Sequence, residues 1–167
     1  MPPTAVVGLT AGVTAIAPGF GYTCAVADGA AKCWGDNFDD QIPGQTAIKV
    51  DAPVAVAGLS GVQRLASAAS FTCALLAGGA VKCWGTAPGG SKPLFTSGNT
   101  PVALTNATGL AALAVSGTDI CGVTAGGGVR GWNGTNTPTP IAISGISGAV
   151  EVRLGSGFGC ARLTGGA

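Results

Sequence analysis

"CAVADGAAKCWGD", residues 24–36, returns as "CALLAGGAVKCWGT" at 73–86 and again as "CGVTAGGGVRGWNG" at 121–134, where Gly131 replaces the second cysteine. Trp34, Trp84 and Trp132 recur at intervals of 50 and 48 residues, and Cys24, Cys73, Cys121 and Cys160 at 49, 48 and 39. A second phrase alternates with the first: "PTAVVGLTAG" from Pro3, "PVAVAGLSG" from Pro53, "PVALTNATG" from Pro101 and "PIAISGISG" from Pro140. Self-similarity at a period near 50 marks a repeat architecture. It divides one domain, 1–167, into repeats at 13–61, 62–109 and 110–148, with half-repeats at 1–12 and 149–167. Runs of four to six residues rich in Val, Ala, Ile and Thr, punctuated by Gly and Pro, read as short strands. No stretch keeps a helical apolar period over three turns, so the chain reads as all-β.

Composition narrows the function classes. Charged residues are 9% of the chain, against about 25% in ordinary globular domains, so the surface is poor in ionic contacts. The net charge is +1 and no run of Lys or Arg occurs, which argues against nucleic acid as a partner. The charge-poor stretches 1–27 and 93–118 are broken by Pro, Gly, Asn and Thr, so neither reads as a membrane-spanning helix. Met1 opens no basic region followed by a compact apolar run, so an export signal, if used, is missing from this chain.

The cysteine spacing follows from turn chemistry. Asp28-Gly29 is a two-residue hairpin signal, because a type I′ turn needs positive φ at both positions. Counting outward pairs 27 with 30 and brings Cys24 opposite Cys33, at a non-hydrogen-bonded position where Cα atoms lie about 4.5 Å apart. That separation suits a disulfide. In the second repeat a three-residue loop, Ala77-Gly78-Gly79, absorbs one extra residue and sets Cys73 opposite Cys83. In the third the loop is Ala125-Gly126-Gly127, and Gly131 stands where the partner of Cys121 belongs. A zinc site wants Cys-x(2–4)-Cys pairs and a catalytic thiol wants an activating histidine; the chain has neither. Reduced cysteines packed in strands remain the alternative to disulfides at Cys24–Cys33 and Cys73–Cys83. The disulfide reading places the protein in an oxidising, extracellular or cell-surface setting. Cys121 and Cys160 either bond to each other or stay free thiols.

The phrases "GYTCAVADGAAKCWGDN" and "SFTCALLAGGAVKCWG", followed by "PVAVAGLSG", resemble the bacterial-type repeats of the regulator-of-chromosome-condensation (alpha-tubulin-suppressor-like) propeller family. The resemblance covers nearly the whole chain and implies four-stranded blades around a central axis, usually seven in number. Two departures stand out. Tyr22 and Phe71 occupy a position where the family commonly has His, and the usual Gly-Gln-Leu-Gly survives only as "DDQIPG", Asp39–Gly44. The family's namesake exchanges guanine nucleotide on a small GTPase and binds chromatin, but this chain carries no basic patch or acidic wedge for either role. A secreted relative that inhibits a β-lactamase points instead to protein binding. The three tryptophans sit at the repeat's own "CWG" position, where blade packing accounts for them.

Other chemistry is thin. "DNFDDQ", residues 36–41, lacks the spacing and central glycine of a calcium loop. Seven acidic residues in all leave little material for acid–base catalysis, so we expect no enzyme, no cofactor and no metal. Asn106-Ala-Thr and Asn133-Gly-Thr are candidate glycan acceptors in loops. The chain opens on a blade's closing phrase and stops after a hairpin turn, leaving Cys160 without its expected partner. Either it is a piece of something longer, or copies join head to tail through complementary half-blades into a ring or filament. The leading expectation is therefore a self-assembling extracellular structural protein, a homo-oligomer or polymer. The alternative is a secreted binding module that holds another protein.

Overall fold

The computed structural model describes residues 4–88, 94–133 and 139–166. The described residues hold no helix; their strands form four antiparallel meanders. The first sheet is β1(Val13–Pro18), β2(Tyr22–Ala27), β3(Ala30–Asp36) and β4(Lys49–Ala55), in that order. The second is β5(Val62–Ser67), β6(Phe71–Leu76), β7(Val81–Gly85) and β8(Gly98–Ala103). The third is β9(Leu110–Ser116), β10(Asp119–Thr124), β11(Val129–Asn133) and β12(Ile141–Ile143). The fourth is the hairpin β13(Ala149–Leu154) and β14(Gly159–Leu163). The first strands β1, β5, β9 and β13 lie beside one another, so the sheets succeed each other as propeller blades.

Hairpin turns set the register. Asp28 and Gly29 have φ of 52° and 74°, the pair of left-handed residues that a type I′ turn demands. Cys24 then faces Cys33, with Cα atoms 4.1 Å apart and the sulfurs bonded. The next hairpin reaches the same pairing differently, with both Gly78 and Gly79 at positive φ, and bonds Cys73 to Cys83. Further along, Gly35 and Gly85 follow the tryptophans because nothing larger fits. A Cβ on Gly35 would lie 2.5 Å from the Gly21 carbonyl oxygen, and one on Gly85 2.3 Å from that of Ser70.

Each apolar cluster belongs to two successive blades. Between the first and second, Tyr22, Cys24, Val26, Cys33 and Ile42 meet Val62, Ala74 and Trp84. Between the second and third, Phe71, Cys73, Leu75 and Cys83 meet Leu110, Leu113, Ile120 and Trp132. The indoles are the keys of these interfaces. Trp84 is wholly buried and its Nε1–H donates to the carbonyl of Gln41 at 2.9 Å; that of Trp132 donates to Thr105 at 3.0 Å. No blade buries these faces alone, so stacking is what stabilises the fold.

Tyr22 latches the first two blades. Its hydroxyl lies 2.7 Å from the Phe71 carbonyl oxygen, 3.2 Å from that of Ala68 and 2.9 Å from Thr72 Oγ1. Burial pushes its pKa up to about 12, despite hydrogen bonds with Thr72 and Ser67 that pull the other way. The folded value thus exceeds the ordinary value of 10.0, so this stabilisation is full below pH 10 and is lost as pH rises through 12. Tyr22 is the chain's one tyrosine, so tyrosinate absorbance reads it alone. We expect that titration to finish well above pH 10 and the alkaline loss of stability over the same range to disappear in Tyr22→Phe. The staples give a second expectation: replacing Cys73 and Cys83 together with serine costs about 2–3 kcal/mol in denaturant unfolding, from loop closure in the unfolded chain.

Candidate protein-binding surface

The fourth sheet breaks the repeat in two ways. Its strands pair Arg153 with Cys160 and Glu151 with Arg162. At the same registers the earlier blades pair Ala17 with Cys24, Ala66 with Cys73 and Ala114 with Cys121. They likewise place Val26, Leu75 and Val123 where Arg162 stands. This face is apolar at these registers in the first and third blades and carries Arg64 opposite Leu75 in the second; in the fourth it holds Glu151, Arg153 and Arg162. Glu151 sits 2.5 Å from Arg153 and 3.0 Å from Arg162, and Arg162, then Arg153, holds its carboxyl below the usual range. Such charges stay solvated, so this face behaves as a polar cap of the kind repeat stacks need.

The second break is the free edge of β14. Cys24 and Cys33 form a non-hydrogen-bonded pair, and the same alternation aims the backbone N–H and C=O of Gly159 and Ala161 away from β13, while the Leu163 carbonyl accepts from the Gly166 N–H at 3.1 Å. Among the described residues no strand meets them. Beside this edge the third cluster is thin: Ala114, Val123, Val129, Ala149 and Val152, without an indole. A cavity of about 230 Å³ opens there against Val129, Ile143, Ile146 and Leu154, and a neighbouring one of about 300 Å³ reaches Ile141 and Phe158. Phe158 is 67% exposed, although Phe71 at the same place in the second blade is wholly buried.

The remaining cysteines are unbonded. Both line the smaller cavity, Cys121 half-buried and Cys160 exposed at its rim. Burial, helped by Asp119, pushes the Cys121 thiol above its ordinary pKa. Asn106 lies exposed in a turn with φ of 56°. Asn133 ends β11, and Gly134 and Thr135, which complete its sequon, lie outside the described residues. In the 36–41 loop the Asn37 side chain serves the loop's own backbone, donating to Gln45 and Ala47 and accepting from Ile42. Residues 4–12 are largely exposed, with Val7 82% accessible. Sequence reading missed the ionic cap, although aligning "AVEVRL" from Ala149 under "VQRLAS" from Val62 already puts Arg153 under Ala66.

With this geometry in view, known structures locate the fold. The chain is similar to human WBSCR16 at 18% identity and a TM-score of 0.74, over 89% of this chain and 44% of that one. It is similar to yeast RCC1 (Prp20), solved bound to Kap60, at 18% identity and a TM-score of 0.71, over 89% and 41%. The computationally designed Ika4 protein matches at 19% identity and a TM-score of 0.64, over 100% of this chain and 96% of that one. The fold is thus a propeller-type repeat fold of the RCC1 kind, and the chain spans under half the length of the two natural relatives. No family model and no curated protein sequence matches it.

The missing third staple gives a direct check. A Cβ built on Gly131 lies 3.6 Å from Cys121 Sγ with no backbone in the way. Gly131→Cys should therefore form a Cys121 disulfide under non-reducing conditions, removing one alkylatable thiol while leaving Cys160 open to reagent.

Proposed function

We propose that the chain is a non-enzymatic, extracytoplasmic protein-binding module, built from repeats of the bacterial type its phrases resemble. The observation that carries this reading is the propeller-type fold of stacked four-stranded sheets, similar to that of yeast RCC1, which was solved bound to Kap60. The two buried disulfides support a setting outside the reducing cytoplasm. Relatives of this fold bind proteins, as yeast RCC1 does Kap60.

A second reading, head-to-tail self-assembly, is favoured by the exposed apolar segment 4–9 of "TAVVGL". The ionic cap weighs against plain face-to-face stacking of copies, since Glu151, Arg153 and Arg162 would have to be desolvated. A contact between unlike ends closes a ring or propagates a filament.

Light scattering and hydrogen exchange together test both. A chain that keeps its mass of 15.9 kDa as concentration rises, with unchanged amide exchange, supports the binding module. Mass that rises with concentration, new amide protection, and a return to the monomer on deleting Met1–Gly12 would make the partner a second copy and overturn it.

A further inference from the structure

The same turn precedes the first strand of every sheet, and one of its copies is chemically different. Gly8, Gly58 and Gly145 hold its left-handed position, with φ of 81°, 77° and 78°. In the turn between β8 and β9 that position belongs to Asn106, with φ of 56°. Residues with a side chain seldom take this conformation, and asparagine does so more readily than most. A Cβ added to any of the three glycines meets nothing within 4 Å, so a side chain here projects into open space. Leu104 and Ala107 anchor the turn in the core shared by the second and third blades, leaving Asn106 and Thr108 exposed. Among the described residues neither the Asn106 amide nor the Thr108 hydroxyl has a partner, so the asparagine gives the turn no hydrogen bond in place of glycine's freedom. Each copy of the phrase has a hydroxyl residue two positions further on: Thr10, Ser60, Thr108 and Ser147. Only Asn106 completes the acceptor pattern Asn-x-Ser/Thr with it, and Ala107 is not the proline that would block the pattern.

We propose that Asn106 is an N-glycosylation site that carries one oligosaccharide on its side-chain nitrogen. The proposal rests on the extracytoplasmic part of the functional reading and does not depend on which protein the module binds. The donor is an oligosaccharide on a polyprenyl diphosphate, and a membrane oligosaccharyltransferase makes the transfer. The bond from the sugar's anomeric carbon to the diphosphate oxygen breaks, that carbon bonds to Asn106 Nδ2, and the displaced amide proton goes to the departing diphosphate. A glycan at this turn hydrates the surface of a chain with only 9% charged residues. Asn133 is placed differently, half-buried in the ladder of β11 opposite Asp119.

The test uses the full-length chain, exported behind a cleavable secretion signal from cells that hold an oligosaccharyltransferase. Its mass should exceed that of the polypeptide by one oligosaccharide. An amidase specific for N-glycans, acting in heavy-oxygen water, should leave labelled aspartate at position 106 and plain asparagine at 133. Asn106→Gly, which restores the residue of the other three turns, should be exported with both disulfides formed and no glycan. Thr108→Ala should also lose the glycan, and Thr108→Ser should keep it. An unmodified Asn106 in protein whose Cys24–Cys33 and Cys73–Cys83 bonds have formed would overturn the proposal and leave the extracytoplasmic reading standing. So would a label at Asn133 rather than Asn106, or a glycan that survives in Asn106→Gly. If both cysteine pairs stay reduced in the exported protein, the extracytoplasmic reading falls and this site falls with it.

Discussion

Much of this fold leans on two indoles, each buried in the interface with the blade before its own. Trp84 and Trp132 sit on the third strands of their sheets, yet their rings belong to the core shared with the preceding sheet. An aromatic ring of this size dominates the area such an interface removes from water, and its N–H needs an acceptor once buried. Gln41 and Thr105 provide one each, from different loops, so the two interfaces meet the same requirement by different local routes. The Cys73–Cys83 disulfide holds the second and third strands of the second blade in the register that aims Trp84, whereas the third blade aims Trp132 without one. In a chain with 9% charged residues, ionic contacts add little to this.

The same constraint explains what is unusual at the fourth sheet. Among the described residues its interface with the third blade holds no indole, the cluster consists of small aliphatic residues, and a cavity lies beside it. On the opposite side, arginines stand where alanine and valine stand in the first and third blades, and a network forms around Glu151.

Much of this was legible in the residues. The recurring "KCWG" phrase and the turn residues between cysteines dictated the blades and the pairing of Cys24 with Cys33, because a hairpin's register is a matter of counting from its turn. Other parts depend on side chains from distant repeats meeting in space. Tyr22 occupies a position that read only as a departure from a pattern, and its bonds to Ala68, Phe71 and Thr72 exist only once two blades are packed. The ionic cap depends on Glu151 facing Arg162 across the hairpin, a register set by the β-bulge between Ala149 and Glu151. The half-blade could be counted from the sequence, but not the volume it leaves open.

Denaturant unfolding of three single variants tests the central role of the interblade indoles most directly. Trp84→Ala and Trp132→Ala each empty a closed interface and should cost about 3–5 kcal/mol. Trp34 stands at the same position of the first blade, whose indole-bearing face meets no preceding blade among the described residues, and it is only half-buried. Trp34→Ala should therefore cost well under half as much. Equal losses for all three would mean that the indoles stabilise their own sheets rather than the interfaces between blades, and the account would fail.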